Sequence, residues 1–345
     1  MNSCLFRAAA LLVISPLTIL ANDIAQVSGS KHDGAVHSEQ FPHREAPDES
    51  SLLKMPAPPE SGSALTTIER GPFVSVQVNV DIFGLDIPFD AANEPSIAVD
   101  PTNPDVVVIG WRQFDTISSS FRQAGVAFSH DGGETWNALP PLEAGLFRSD
   151  PVLAAGPDGT IYYYSLRSGF DCDLFRSFDG GATWDGPIPA FGGDKAWMTV
   201  DLTEGAGRGN IYAAWSFSFS CCGVNMFTRS TDGGETFVFP IEVPLTPVFG
   251  TMSVGPDGEL YIAGVDLPSF SNPDFVITRS CDIGTPGAVP TFELMAEPFM
   301  GGSLSGSAGP NPVGLLGQVN VATDHSDGPT RSAERFVRAC RSRFR

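Results

Sequence analysis

The sequence predicts an all-β fold: a β-propeller of four-stranded antiparallel blades that is incomplete at its C-terminal end. Three observations predict it. Thirty-seven glycines and 29 prolines in 345 residues suit many short strands joined by tight turns rather than long helices. An octapeptide recurs as SHDGGETW at 129–136, SFDGGATW at 177–184 and STDGGETF at 230–237, with a degenerate SCDIG at 280–284. Its aspartates, Asp131, Asp179, Asp232 and Asp282, lie 48, 53 and 50 residues apart, which is the length of a four-stranded blade with its loops. Between the octapeptides a strand, a Pro/Gly turn and a second strand return four times. PSIAVD (95–100) leads to VVVI (106–109), and PVLAAGPDG (151–159) to IYYY (161–164). MTVD (198–201) then leads to IY (211–212), and MSVGPDG (252–258) to LYI (260–262).

Taken along the chain, residues 1–21 carry a charged start, an apolar run and a small residue at the end. This is the pattern of a secretory signal, too short in its apolar part to span a bilayer. Export is therefore expected, to the periplasm or outside the cell, with no membrane insertion of the mature chain. Residues 22–71 are rich in Pro, Ser, Glu and His without apolar periodicity and read as a disordered linker. Strict alternation over residues 73–80 predicts a half-buried strand. The propeller, four full blades and part of a fifth, is expected over residues 72–331. DHSDGPTR (324–331) lines up with DLTEGAGR (201–208), but the strand that follows the earlier copy is expected to be missing from the later one. Residues 332–345 form an atypical basic tail, and a chain cut short in its fifth module is the expectation.

Forty acidic side chains against 20 basic ones give a net charge of −20, which would repel nucleic acid over most of the surface. No cofactor and no metal are expected, because no spaced Cys-x-x-Cys pair occurs and the histidines are scattered. In an oxidising compartment some cysteines should pair. Cys172 falls on a strand equivalent to that near Cys221 and Cys222 in the next module, so a bond from Cys172 to one of them is expected.

The octapeptide has a physical reading of its own. Ser129, Ser177 and Ser230 with Asp131, Asp179 and Asp232 can bond nearby backbone N–H groups. Gly133, Gly181 and Gly234 supply positive φ, and Trp136, Trp184 and Phe237 fold back on the blade. The three copies resemble the Asp-box, or BNR repeat, of the sialidase (neuraminidase) superfamily of β-propellers, which also occurs in sortilin-like receptors and other glycosidases. The resemblance covers residues 93 to 331. It implies that the boxes lie on the face opposite the ligand site, so their residues are structural. It also implies three functions to weigh: an exported propeller recognising glycans or a cell-surface protein through its top loops, an exo-glycosidase acting on terminal sialic acid, or a non-catalytic receptor-like propeller. The arginine triad and Tyr–Glu pair of such enzymes have no clear counterpart here. All five tyrosines, Tyr162, Tyr163, Tyr164, Tyr212 and Tyr261, fall inside strand patterns and are expected in the core.

If the box turn joins strands three and four at the bottom of each blade, the loops before strand one and after strand two gather at the top. Those loops carry Glu94, Asp150 and Asp194 as candidate acids and bases. Arg112, Arg148, Arg167, Lys195 and Trp197 are the candidate ligand-binding residues, the arginines being able to hold a carboxylate. Arg176, Arg229 and Arg279, each directly before a box serine, are expected to be structural.

Overall fold

The computed structural model describes residues 67–81, 83–266, 275–299, 319–326 and 334–338. A two-stranded hairpin, β1 (Thr67–Arg70) with β2 (Phe73–Val76), precedes the propeller. Blade 1 is β3 (Ala91–Val99), β4 (Val107–Phe114), β5 (Gln123–Ser129) and β6 (Asn137–Leu142). Blade 2 is β7 (Ser149–Ala155), β8 (Ile161–Leu166), β9 (Cys172–Ser177) and β10 (Asp185–Pro189). Blade 3 is β11 (Trp197–Val200), β12 (Ile211–Ala214), β13 (Asn225–Ser230) and β14 (Ile241–Glu242). Blade 4 is β15 (Met252–Val254), β16 (Leu260–Val265), β17 (Phe275–Ser280) and β18 (Glu293–Ala296). A pair, β19 (Val319–Thr323) with β20 (Glu334–Arg338), starts a fifth. Each sheet is an antiparallel meander in chain order, and the first strands β3, β7, β11, β15 and β19 contact one another in succession. Successive sheets with their first strands adjacent make a β-propeller arc with those strands innermost.

Apolar residues on both faces of the middle strands hold the blades together. The buried core runs through blades 2 to 5, with a second cluster between blades 1 and 2. There Tyr163 of β8 packs against Gly110 of β4, where a Cβ would strike its ring, and its hydroxyl donates to Gly125 O at 3.3 Å. All five tyrosines are buried, as strand-face packing requires.

The boxes are built as the sequence implies. Ser129 Oγ donates to Asp131 Oδ1 (2.7 Å) and accepts from Gly133 N (2.9 Å). Asp131 accepts from Thr135 N (2.9 Å), and Trp136 Nε1 donates to Gly133 O (3.0 Å). The same bonds recur at Ser177, Asp179, Gly181, Thr183 and Trp184, and again at Ser230, Asp232, Gly234 and Thr236. Gly133, Gly181 and Gly234 take φ of 91°, 96° and 79°. The degenerate fourth box also closes, by a longer route. Asp282 accepts from Ser280 Oγ and from both N and Oγ1 of Thr291, nine residues on instead of four. Bonds from the Thr135 and Ser129 side chains and backbone hold Asp131 down to about 2, and the other box aspartates are held low against the opposing effect of burial. A carboxyl whose folded pKa is depressed stabilises the fold above its unfolded value, near 3.8, and loses that contribution as pH falls through the folded one. The melting temperature is expected to drop as pH falls from about 4 to about 2, and less steeply in Asp131→Asn. An identical acid limb in that variant would show that the box carboxylate does not set it.

Two of the three arginines before box serines staple neighbouring blades, whereas Arg279 pairs with Glu293 of its own blade. Arg176 Nη1 donates to Gly233 O in the next box (3.1 Å). Arg229 reaches Ile283 O, Thr285 O and Ala288 O across to blade 4.

Three expectations are corrected. Residues 67–70, assigned to the linker, pair as β1, because the alternating run after Arg70 offers a strand edge to bond; that run stops at Val76, and Phe73 and Val74 are exposed rather than half-buried. The second strand of blade 5 exists: Glu334–Arg338, inside the basic tail, pairs with β19 in full register, where its Phe-Val pair suits a strand. The cysteine bond differs as well. Cys221 pairs with its neighbour Cys222, and Cys172 is a buried thiol. The backbone of residues 190–192 runs between them: Ala190 and Phe191 bond the backbone of Cys172, while Gly192 bonds Cys221. Cys281 is also disulfide-bonded. The expected export signal and most of the linker lie outside the described residues. No helix among the described residues is long and apolar enough to cross a membrane.

Candidate functional site

The top of the propeller begins where each innermost strand starts, and one backbone feature recurs there. Glu94, Asp150, Lys195 and Phe249 have φ of 49°, 46°, 54° and 56° and occupy the same module position, within β3 and β7 and just ahead of β11 and β15. In blades 1 and 2 it accompanies a register shift between Asn93 and Ser96 and between Ser149 and Val152. A left-handed non-glycine residue costs roughly 1–2 kcal/mol, and bulges of this kind re-aim side chains. Four such residues in equivalent places turn their side chains toward one mouth.

The geometry there is a tight lattice of charges. Glu94 Oε1 lies 2.7 Å from Arg112 Nη2 and 3.7 Å from Lys195 Nζ. Arg112 Nε also donates to Asn93 Oδ1 (2.8 Å). Asp150 Oδ2 accepts from Lys195 N (2.9 Å), and its Oδ1 from Ser149 Oγ (3.0 Å). Asp194, only 2% exposed, has Oδ1 without a hydrogen-bond partner. Burial first, then the neighbouring Asp150, pushes the Asp194 carboxyl up to about 7, against the pull of Lys195. Burial opposes the charge of Lys195, but Asp150, Glu94 and Asp194 together hold its ammonium above the ordinary range. Trp197, half-buried, flanks the mouth with Lys195, Trp215 and Phe249 in a small cleft between blades 3 and 4.

The structure thus brings together Glu94, Asp150, Asp194, Arg112, Lys195 and Trp197. It does not bring Arg148 and Arg167 to them. Arg148, 3% exposed, pairs with Glu143 and with Asp173 (2.8 Å) and lies over the Phe175 ring, directed outward along blade 2. Arg167 pairs with Asp171 and approaches the same Asp173 at 3.5 Å. Both arginines are spent on Asp173 of blade 2 and on acids of nearby loops, so a three-arginine carboxylate clamp is not assembled. Arg122, which sequence reasoning missed, stands closer to the acids. Its Nε donates to Ser149 Oγ (3.2 Å), its Nη1 to Ser120 O (2.7 Å), and its charge is stabilised by Asp150 and Asp194 against burial, which lowers its pKa. It precedes a third strand, a position that carries no recurring signal. Phe249 was also missed, although the module alignment marks its position. Among the described residues no group of three or more His, Cys, Asp or Glu side chains could hold a metal.

The fold and the four closed boxes define the class: a BNR/Asp-box β-propeller. A family profile described as BNR/Asp-box repeat matches residues 127–138, the first box. A curated relative, a xyloglucanase from a Paenibacillus species, is 28% identical over 194 residues, 48% of this chain; the chain spans 18% of that relative's length. Among solved structures, the Hadza microbial sialidase Hz136 aligns with a TM-score of 0.45 and 17% identity, over 72% of this chain and 52% of that one. The Penicillium chrysogenum alpha-L-arabinanase complexed with arabinobiose gives 0.43 and 14%, over 72% and 75%. The GH74 xyloglucanase from Xanthomonas campestris gives 0.41 and 18%, over 66% and 33%.

Proposed function

We propose that this propeller recognises a neutral glycan at its top mouth, through Glu94, Arg112, Asp150, Lys195 and Trp197. The observation that carries this is the convergence of left-handed residues from successive blades on one group of alternating carboxylates and cations. Sugar hydroxyls both donate and accept, and such an alternation satisfies both roles. The half-buried Trp197 adds an aromatic edge for the apolar face of a pyranose ring. Engagement of Arg148 and Arg167 with Asp173 argues against an anionic sugar, because Arg112 is already neutralised by Glu94. The xyloglucanase relative supports a neutral polysaccharide as the ligand class. Titration calorimetry with xyloglucan oligosaccharides and with sialyllactose tests the reading. Binding of the neutral oligosaccharide is expected, weakened about tenfold in Trp197→Ala and in Lys195→Ala. Binding of sialyllactose alone, or neutral binding that both variants leave unchanged, would overturn it.

A second reading, hydrolysis of a glycosidic bond, is favoured by one observation, the carboxyl of Asp194 held protonated to about pH 7 beside Asp150. A carboxyl that keeps its proton near neutral pH is what acid-assisted cleavage of an acetal requires, because it can donate that proton to the leaving oxygen.

A further inference from the structure

We propose that the Cys221–Cys222 disulfide is a positioning element for Asp194, and that its reduction by a dithiol loosens the strap that holds this acid beneath the mouth. The strap, residues 216–222, leaves β12 and returns to β13 along the segment just before β11. Both backbone groups of Asp194 are spent on it: the N–H donates to Phe219 O (2.8 Å) and the carbonyl accepts from Ser216 N (2.9 Å). Gly193 bridges to Ser220, and Cys221 N donates to Gly192 O (3.0 Å). Cys221 Sγ in turn accepts from Gly192 N at 3.4 Å, so the sulfur itself is part of the zipper. The strap is also held by Phe217, which packs against the core, and by Cys222 O, which accepts from Asn225 N at 3.2 Å. The Phe219 ring meets Phe170 at 5.4 Å, and Ser220 Oγ donates to Phe217 O within the strap itself.

Phe219 sits at φ 78°, in the left-handed region that a bulky residue leaves unless it is held. A bond between adjacent side chains closes a ring that includes the Cys221–Cys222 peptide and freezes rotation at both residues. Opening that ring frees the Cys221 side chain, removes its acceptor from Gly192 and lets Phe219 relax. The grip on Asp194 weakens in consequence.

The chemistry balances without further reagents. Cys221 is exposed and Cys222 partly covered. A thiolate of the dithiol attacks the Cys221 sulfur, forming a mixed disulfide and expelling the Cys222 thiolate, which takes a proton from water. The second thiol of the reagent then attacks the mixed disulfide and releases Cys221. The protein gains two thiols, two electrons and two protons, and the dithiol becomes a cyclic disulfide.

The consequence for the ligand rests on the mouth being the glycan site, but the release of the strap does not, so the test reads the strap directly. Hydrogen exchange of the peptide spanning residues 190–196 is followed in the full chain before and after dithiothreitol, with a β4 peptide as control. Because Cys281 is also disulfide-bonded, the double variant Cys221→Ser/Cys222→Ser isolates the effect. Exchange over 190–196 is expected to rise about tenfold on reduction and to be equally high in the double variant without reductant, with β4 unchanged. The charged groups facing Asp194 are Asp150 from β7, Glu94 from β3, Arg122 before β5 and its neighbour Lys195. With the strap loosened, water reaches this group and the Asp194 titration, followed by carboxyl-detected NMR, should move from about 7 toward the ordinary carboxylate range. Unchanged exchange over 190–196 after complete reduction overturns the proposal. So does an equal rise in β4, or an Asp194 titration that stays in place. Loss of glycan binding in every form would bear on the mouth alone.

Discussion

Asp194→Asn is expected to make the folded protein more stable at pH 8 and to abolish any hydrolytic turnover while leaving glycan binding in place. The carboxyl is nearly inaccessible and is pushed up to about 7 by burial and by Asp150. Between its unfolded value near 3.8 and about 7, the folded chain retains a proton that the unfolded chain has released. Stability from this group is therefore fully present below about 4 and is lost as pH rises through about 7. Asparagine mimics the protonated acid and has nothing to lose. The variant should exceed the parent by on the order of 4 kcal/mol at pH 8 and match it near pH 4. Because the box aspartates titrate identically in both proteins, the difference between the two urea curves isolates Asp194. A difference independent of pH would mean that the acid is ionised in the folded state throughout. It would remove the physical basis for proton donation at neutral pH, and turnover of a fluorogenic glycoside retained in the variant would remove the role itself.

Arg229→Ala is expected to cost about 3 kcal/mol and to lower the melting temperature by about 6–12 °C, without altering the residues at the mouth. Arg229 is 3% exposed and donates to Ile283 O, Thr285 O and Ala288 O across the junction of blades 3 and 4. Truncation leaves the Ile283 carbonyl in a buried junction without this donor and removes two further bonds, to Thr285 O and Ala288 O, at the partly buried rim; a buried group left unsatisfied costs about 1–3 kcal/mol. Lysine should not restore the loss, because a single ammonium cannot present a planar fork to several acceptors. Arg176→Ala serves as the internal comparison. Arg176 donates to one carbonyl of the next blade and otherwise pairs with the exposed Asp185, so its loss should be clearly smaller. Equal costs for the two variants, read from denaturant midpoints at constant slope, would show that the number of carbonyls held does not set the strength of the staple.

The first three box turns were legible residue by residue because each is closed by partners within eight positions. Ser129, Asp131, Gly133, Thr135 and Trp136 satisfy one another before any other blade is present. Strand and turn alternation likewise announced four meanders, and the spacing of the boxes placed the loops of Glu94, Asp150 and Asp194 on one face. Where partners came from further away, the reading failed. Nothing local distinguishes Arg148, which turns outward to Asp173, from Arg122, which turns toward Asp150 and Asp194. Nor does spacing say that Thr291 closes the fourth box after a detour, or that a peptide segment separates Cys172 from Cys221.

By itself, then, the amino-acid order determined the repeating sheets, their clamped turns and the face on which polar loops collect, since these follow from hydrogen bonds and alternation over a few residues. Only the tertiary structure decided which charges meet at the mouth, which are consumed inside blade 2, and which cysteines pair. Those outcomes depend on how neighbouring blades direct side chains and exclude water, and no short stretch of sequence contains that information.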